Sequence, residues 1–157
     1  MAMHNWMECK IRYEKVMDNG FNKKVTEPYL VDALSFTEAE ARIIEEMTHY
    51  ITGEFTVVNI TPAKYSELFP SDEESEDRWF KCKLIYITLD KKSGAERRQA
   101  VNVLVQASDV DTAKKNLDKG MQGTMASYQV ESVSETKIMD VYPYTDQSSS
   151  NQSNAEA

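Results

Sequence analysis

The sequence predicts an α+β fold built as a tandem duplication of one ββαβ unit, with antiparallel sheets and one helix per repeat. Three observations carry that expectation. Trp6-Met7-Glu8-Cys9-Lys10-Ile11-Arg12-Tyr13 returns as Trp79-Phe80-Lys81-Cys82-Lys83-Leu84-Ile85-Tyr86, and each copy takes one of the 2 Trp and one of the 2 Cys in the chain. The correspondence continues through Leu30-Val31-Asp32-Ala33 against Leu104-Val105-Gln106-Ala107, Phe55-x-Val57 against Tyr128-x-Val130, and Leu68-Phe69-Pro70 against Val141-Tyr142-Pro143. The spacing between copies is 73 residues at both ends (79 minus 6) and 74 in the middle (104 minus 30), so one hairpin loop carries an extra residue that a later connection gives back. Within each copy, alternating apolar positions give way to a helical period and then to alternation again.

Each copy opens with an alternating strand, residues 5 to 17 and 78 to 89, followed by a turn and a second strand near 24 to 34 and 97 to 107. Asp18-Asn19-Gly20 makes the first turn, because Asn and Gly tolerate positive φ, and Lys92-Ser93-Gly94 makes the second. The helix of the first copy starts at the capping box Ser35-x-x-Glu38, with Phe36, Ala39, Ile43, Met47 and Tyr50 on one apolar stripe and Gly53 as its stop. In the second copy Asp109 takes the cap, Val110, Ala113 and Leu117 form the stripe, and Gly120 is the stop. A third strand near 54 to 61 and 127 to 134, with an extended piece to 69 and 142, completes each unit. The expected division is therefore 1–70, an acidic linker at 71–77, 78–144, and a polar, low-complexity tail at 145–157 expected to be disordered.

Composition narrows the function classes. A unit of about 70 residues is marginally stable alone, so the halves should lean on each other. A net charge of −8 and a pI near 4.8 argue against nucleic acid as the main partner, since that affinity comes largely from neutralising phosphates. No apolar run approaches the roughly 20 residues of a membrane span, and the start of the chain lacks the pattern of a signal peptide. A cytoplasmic protein is expected. The run Pro70-Ser71-Asp72-Glu73-Glu74-Ser75-Glu76-Asp77 reads as a solvated linker, because the ligand spacing and turn glycine of a calcium loop are missing.

Signatures of chemistry are sparse. Cys9 and Cys82 alternate in phase with Ile11, Tyr13, Leu84 and Tyr86, which places both thiols in the core. Isolated cysteines and two unrelated histidines do not make a zinc set, and no metal or cofactor is expected. There is no Gly-x-Ser-x-Gly elbow, His-Glu-x-x-His, phosphate loop or Cys-x-x-Cys, and Cys with His49 is the best nucleophilic pair that can be written. Glu67 and Asp140 match between copies and read as solvent-facing.

The opposite face of the first strand is more informative. Trp6, Glu8, Lys10 and Arg12 share it in one copy, and Trp79, Lys81, Lys83 and Ile85 in the other, with Leu30 and Leu104 on the matching phase of the second strand. One reading is that a second sheet or a second chain covers this face. The other is a pair of binding sites in which Trp6 or Trp79 stacks on a ligand ring while Lys10, Arg12, Lys81 and Lys83 meet an anionic group. Lys23, Lys24, Lys91, Lys92, Arg97 and Arg98 add basic residues around both hairpins, a pattern that also serves solubility and discourages edge pairing.

Asn5-Trp6-x-Glu8-Cys9-Lys10-x-Arg12-Tyr13, the stretch from Thr26 to Ala41, and Arg78-Trp79-Phe80-Lys81-Cys82-Lys83 resemble an uncharacterised, DUF4494-like family of domains of unknown function. The resemblance runs to Tyr144. It implies a setting in gut anaerobic bacteria and their phages or mobile elements, and it transfers no catalytic residue. At the level of fold, the order strand, hairpin, strand, helix, strand is also similar to the half-units of certain ribosomal large-subunit proteins, although the acidic charge departs from a ribosomal role. The leading expectation is a non-enzymatic binding or interaction protein, self-associating, that holds a small nucleotide-like anion or mediates protein assembly. The alternatives are a small hydrolase or transferase acting on an anionic substrate through paired carboxylates, and nucleic-acid association through the basic hairpins.

Overall fold

The computed structural model describes residues 5–143. In chain order the described residues form β1 Trp6–Val16, β2 Asn22–Asp32, α1 Phe36–Tyr50, β3 Phe55–Pro62, β4 Glu67–Phe69, β5 Arg78–Leu89, β6 Glu96–Ala107, α2 Val110–Gly120, β7 Ser127–Glu135 and β8 Val141–Tyr142. They fall into two compact units, the first comprising the chain through Ala63 with the segment from Asp140 onward, the second Lys64–Met139. The tail at 145–157 expected to be disordered lies outside the described residues.

In the first unit the sheet order is β3-β1-β2-β8. The β1–β2 ladder runs from Trp6 opposite Asp32 to Val16 opposite Asn22, closed by a turn in which Gly20 has φ +84°. Cys9, Ile11, Tyr29, Val31 and Ala33 point to one face and pack with Ala39, Ile43 and Met47 of α1. Two periods, two residues in the strands and 3.6 in the helix, thus supply the two sides of one core. The expected cap forms, since Ser35 Oγ accepts from the Glu38 N–H at 3.1 Å. Phe36 and Tyr50, expected on the buried stripe, stand 52% and 67% exposed because the sheet beneath covers only the middle turns.

The second unit repeats the layout with order β4-β6-β5-β7. Its core is Cys82, Leu84, Val103 and Val105 against Leu117 and Met121, extended by Phe80, Ala107 and Ala113. Asp109 Oδ1 accepts from the Thr112 N–H at 2.8 Å, and that backbone hydrogen bond holds its carboxyl below the usual range. Each central strand carries an irregularity in register toward its antiparallel edge strand, between Lys10 and Ile11 in one unit and between Lys83 and Leu84 in the other. The turn between β5 and β6, residues 90–95, is one residue longer than the turn at 17–21, which accounts for the change of spacing seen in the sequence. Val110, at the open first turn of α2, is 42% exposed instead of joining the stripe.

The short strands depart from the expected division at residues 70 and 78. β4 follows β3 in the chain yet pairs in parallel with β6, Leu68 opposite Leu104 and Phe69 opposite Val105. β8, which follows β7 in the chain, pairs in parallel with β2, Leu30 opposite Val141 and Val31 opposite Tyr142. A parallel neighbour in the same sheet needs a crossover of about a dozen residues, and the residues between β3 and β4 are too few to make one. The second sheet is therefore completed by β4, which follows β3 in the chain, and the first by β8, which follows β7.

Helix side chains fasten both crossings. Arg42 donates through Nη1 to the Asp32 carbonyl and through Nη2 to the Pro143 carbonyl at 3.0 Å. At the matching position of α2, Asn116 Nδ2 donates to the Gln106 carbonyl at 2.9 Å and to both Glu76 carboxylate oxygens at 3.2 Å. Ser71 adds an N–H to Gln106 Oε1 at 2.9 Å and a hydroxyl to Glu76 Oε1 at 2.5 Å. The acidic segment read as a solvated linker is thus pinned to the second unit through Ser71 and Glu76, partners its composition does not reveal.

Candidate functional site

Strand alternation does place Trp6, Lys10 and Arg12 on the face of β1 away from α1, but the row divides. Trp6 and Trp79 are 5% and 4% exposed, and Leu30 and Leu104 are fully buried. Neither indole presents an open ring face, so stacking of a ligand from solvent on Trp6 or Trp79 is not available without rearrangement. The physical reason is the large apolar area of an indole, whose removal from water is strongly favourable. The Trp79 Nε1–H is buried without a hydrogen-bond partner.

The cations further along the same face remain in water. Lys10 lies between Pro28 of β2 and Asn59 of β3, and Arg12 between Thr26 and Thr56. Lys10, Arg12, Thr26, Thr56, Asn59 and Thr61 are all exposed, so the open side of this sheet is a hydroxyl- and amide-rich surface with two cations on its central strand. Next to it, a cleft of about 560 Å³ is lined by Arg12, Glu14, Asn22, Lys24 and the turn from Thr52 to Thr56. Arg12 belongs to both the face and the cleft. Among the described residues no carboxylate comes within ion-pair distance of Lys10, Arg12 or Lys24. Glu14, two residues from Arg12 on β1, and Glu54 line the same cleft and set negative charge near that guanidinium.

In the second unit the cations are displaced along the strand: Lys83 stands where Lys10 does, Lys81 where Glu8 does, and Ile85 takes the place of Arg12. Lys81 is exposed between Leu104 and Ser134, and Lys83 is half-buried between Asn102 and Ser132. There Lys83 Nζ sits 3.1 Å from Glu131 Oε2, so that cation is already partly answered. A second cleft of about 510 Å³ is lined by Phe69, Asp72, Glu73, Glu76, Asn116 and Lys119, among others, and is acidic in character.

Both thiols are masked by burial. Cys9 and Cys82 are fully buried free thiols, and burial pushes them up to about 12 and about 11, with the Glu8 charge adding to the rise at Cys9. Neither is a thiolate near neutral pH. The sequence did not single out Glu27, which accepts from the Tyr13 hydroxyl at 2.7 Å and lies 3.7 Å from Lys15 Nζ. Burial first, then this carboxylate, raises Tyr13 to about 12, and burial chiefly raises Tyr29, whose ring stacks on Tyr142 at 6.2 Å. Tyr29 and Glu27 are Val103 and Val101 at the matching positions of the second unit, so this polar cluster is particular to the first. Among the described residues no group of three His, Cys, Asp or Glu is placed to hold a metal ion, and no helix is long and apolar enough to cross a membrane.

With this geometry in hand, the comparison with known families is decisive on one point. The model described as "Domain of unknown function (DUF4494)" matches residues 5–144. The chain belongs to that family. The match spans both units, including β4 and β8, so the DUF4494 domain is the whole two-unit arrangement and not one repeat. No curated protein and no solved structure matches the chain.

Proposed function

We propose that this DUF4494 protein is a non-catalytic binding protein that takes an anionic, nucleotide-like ligand on the open face of its first sheet, and that its two units descend from one duplicated segment. The observation that carries the binding reading is the pair Lys10 and Arg12. They stand exposed on the central strand, free of ion pairs, where the face meets a cleft large enough for a small molecule. An Arg guanidinium offers the planar donor fork that suits phosphate oxygens, and the surrounding Thr26, Thr56 and Asn59 supply neutral hydrogen-bonding groups for the rest of such a ligand. On the second sheet Lys83 matches Lys10 but is paired with Glu131, and Ile85 stands in place of Arg12, so the proposed site belongs to the first sheet. Burial of both thiols supports the non-catalytic reading against cysteine chemistry only, and recovery of intact ligand tests it against carboxylate chemistry.

Titration of the purified chain with adenosine triphosphate, followed by mass analysis of the ligand, tests both halves of the proposal. Binding should weaken by about tenfold or more in Arg12→Ala, the loss of one charge-assisted contact, and the nucleotide should be recovered intact. Recovery of a hydrolysed product would move the protein to the enzyme class. Binding indifferent to Arg12→Ala and Lys10→Ala would remove the site.

A further inference from the structure

Resting on the reading of Arg12 as an anion contact, and going beyond the nucleotide, we infer that the cleft beside it receives the carboxyl-terminal end of a basic peptide, paired as a short strand along β1. β1 has a free edge there. β3 pairs with β1 only as far as Tyr13, so residues 14–16 have a neighbour in β2 and none on the other side. The Trp6 carbonyl accepts from the Ala63 N–H on the β3 side, and main-chain groups alternate along a strand, so Glu14 and Val16 turn theirs to that same side. The extra residue of the irregular register lies in β3, at Val58, and leaves this alternation in β1 intact. Glu14 and Val16 are exposed, and their outward N–H and C=O groups recur about 6.8 Å apart, the spacing that an added antiparallel strand takes up. The second unit offers less, because β7 follows β5 as far as Ile87 and only Thr88 and Leu89 run on.

The cleft of about 560 Å³ is lined by Glu14 and Val16 of that edge and by the turn from Thr52 to Thr56. This turn carries the chain into β3 and closes the line at Phe55, so a strand lying along the edge must end there instead of passing through. Running antiparallel to β1, as β3 does, the added strand ends in a carboxylate, and it ends toward Arg12. The charges of the cleft are balanced, Arg12 and Lys24 against Glu14 and Glu54, and among the described residues none of the four forms an ion pair. A simple anion meets repulsion in such a cleft. A chain end that carries both a carboxylate and a basic side chain answers both signs. Val16, 70% exposed, gives an apolar side chain two places before that end a surface to cover.

Fluorescence anisotropy on the full chain, with the labelled pentapeptide glycyl-glycyl-leucyl-threonyl-lysine as probe, tests the inference. The free acid should bind about tenfold tighter than the same peptide ending in an amide, and Arg12→Ala should abolish that difference. Glu54→Gln should weaken the lysine-ended peptide and not one ending in alanine. Gly53 lines the cleft with nothing within 4 Å of an added Cβ, so Gly53→Leu should block the peptide. Arg12, Gly53 and Glu54 are exposed, so the variants keep the fold, which circular dichroism checks. Strand pairing has its own readout: amide hydrogen exchange at Glu14 and Val16 should slow by about tenfold or more when the peptide binds. Equal binding of acid and amide, or unchanged exchange at both amides, overturns the inference. So does protection of those amides that grows with protein concentration in the absence of peptide, which puts a second copy of the chain on the edge. If adenosine triphosphate binding responds to Arg12→Ala while the peptide does not bind, the peptide site falls and the anion contact stands. If the peptide binds through Arg12 and the nucleotide does not bind, the nucleotide falls and the inference stands. If neither binds, both fall.

Discussion

At the scale of single residues, burial decides what each ionisable group is able to do. Cys9 is raised to about 12, Cys82 to about 11 and Tyr13 to about 12, each with desolvation as the first cause. All three ionise more readily in the unfolded chain, so the stabilisation linked to their neutral forms is fully present below their unfolded values and is lost as pH rises toward the folded ones. The melting temperature should therefore hold up to about pH 8 and fall between about pH 9 and 12. At pH 8 a thiol reagent should leave the native chain unlabelled and label two cysteines after denaturation; rapid labelling of the native chain would show that these thiols are not in the core. Alternation alone placed both cysteines on the inner face and Lys10 with Arg12 on the outer one. It did not distinguish Trp6 from Lys10 on that outer face, because a period of two says which side a residue takes and not what covers it.

Between elements, the close approach of α2 to β4 rests on one glycine. Gly120 was read as a helix stop, but its backbone lacks a positive φ, and the left-handed turn residue is Gly123, at φ +85°. What Gly120 provides is room: a methyl group there would lie 2.7 Å from the Phe69 ring. Gly120→Ala should accordingly destabilise the protein by about 1–3 kcal/mol, as overpacking does. Gly53→Ala meets nothing within 4 Å and should change stability by less than about 1 kcal/mol. Equal effects of the two substitutions in urea denaturation would rule out the packing explanation. Caps, turns and helix faces were legible because they depend on neighbours within four residues. The partner of Gly120 lies fifty-one positions earlier in the chain, beyond the reach of any local pattern.

At the scale of the molecule, β4 follows β3 yet belongs to the second unit, and β8 follows β7 yet belongs to the first. A chain ending at Met139 lacks β8, with the Tyr142 ring that stacks on Tyr29 and packs against the first core. Its β1 and β2 amides should lose protection from hydrogen exchange by about 3 kcal/mol, the scale of removing a large buried side chain, with a smaller change in β5 and β6. Unchanged protection in β2 would mean that the strand is dispensable. The sequence by itself determined the α+β class, the helix caps, the hairpins and the side of β1 that Lys10 and Arg12 take, since these follow from periods and turn residues carried in the chain. The tertiary structure decided which sheet receives each short strand, that Glu76 and Ser71 tie down the acidic segment, and that the tryptophans are buried while Lys10 and Arg12 stay in water. The reason is physical: strand pairing and burial are settled by what approaches from distant parts of the chain, and one strand's pattern fits any partner of matching period.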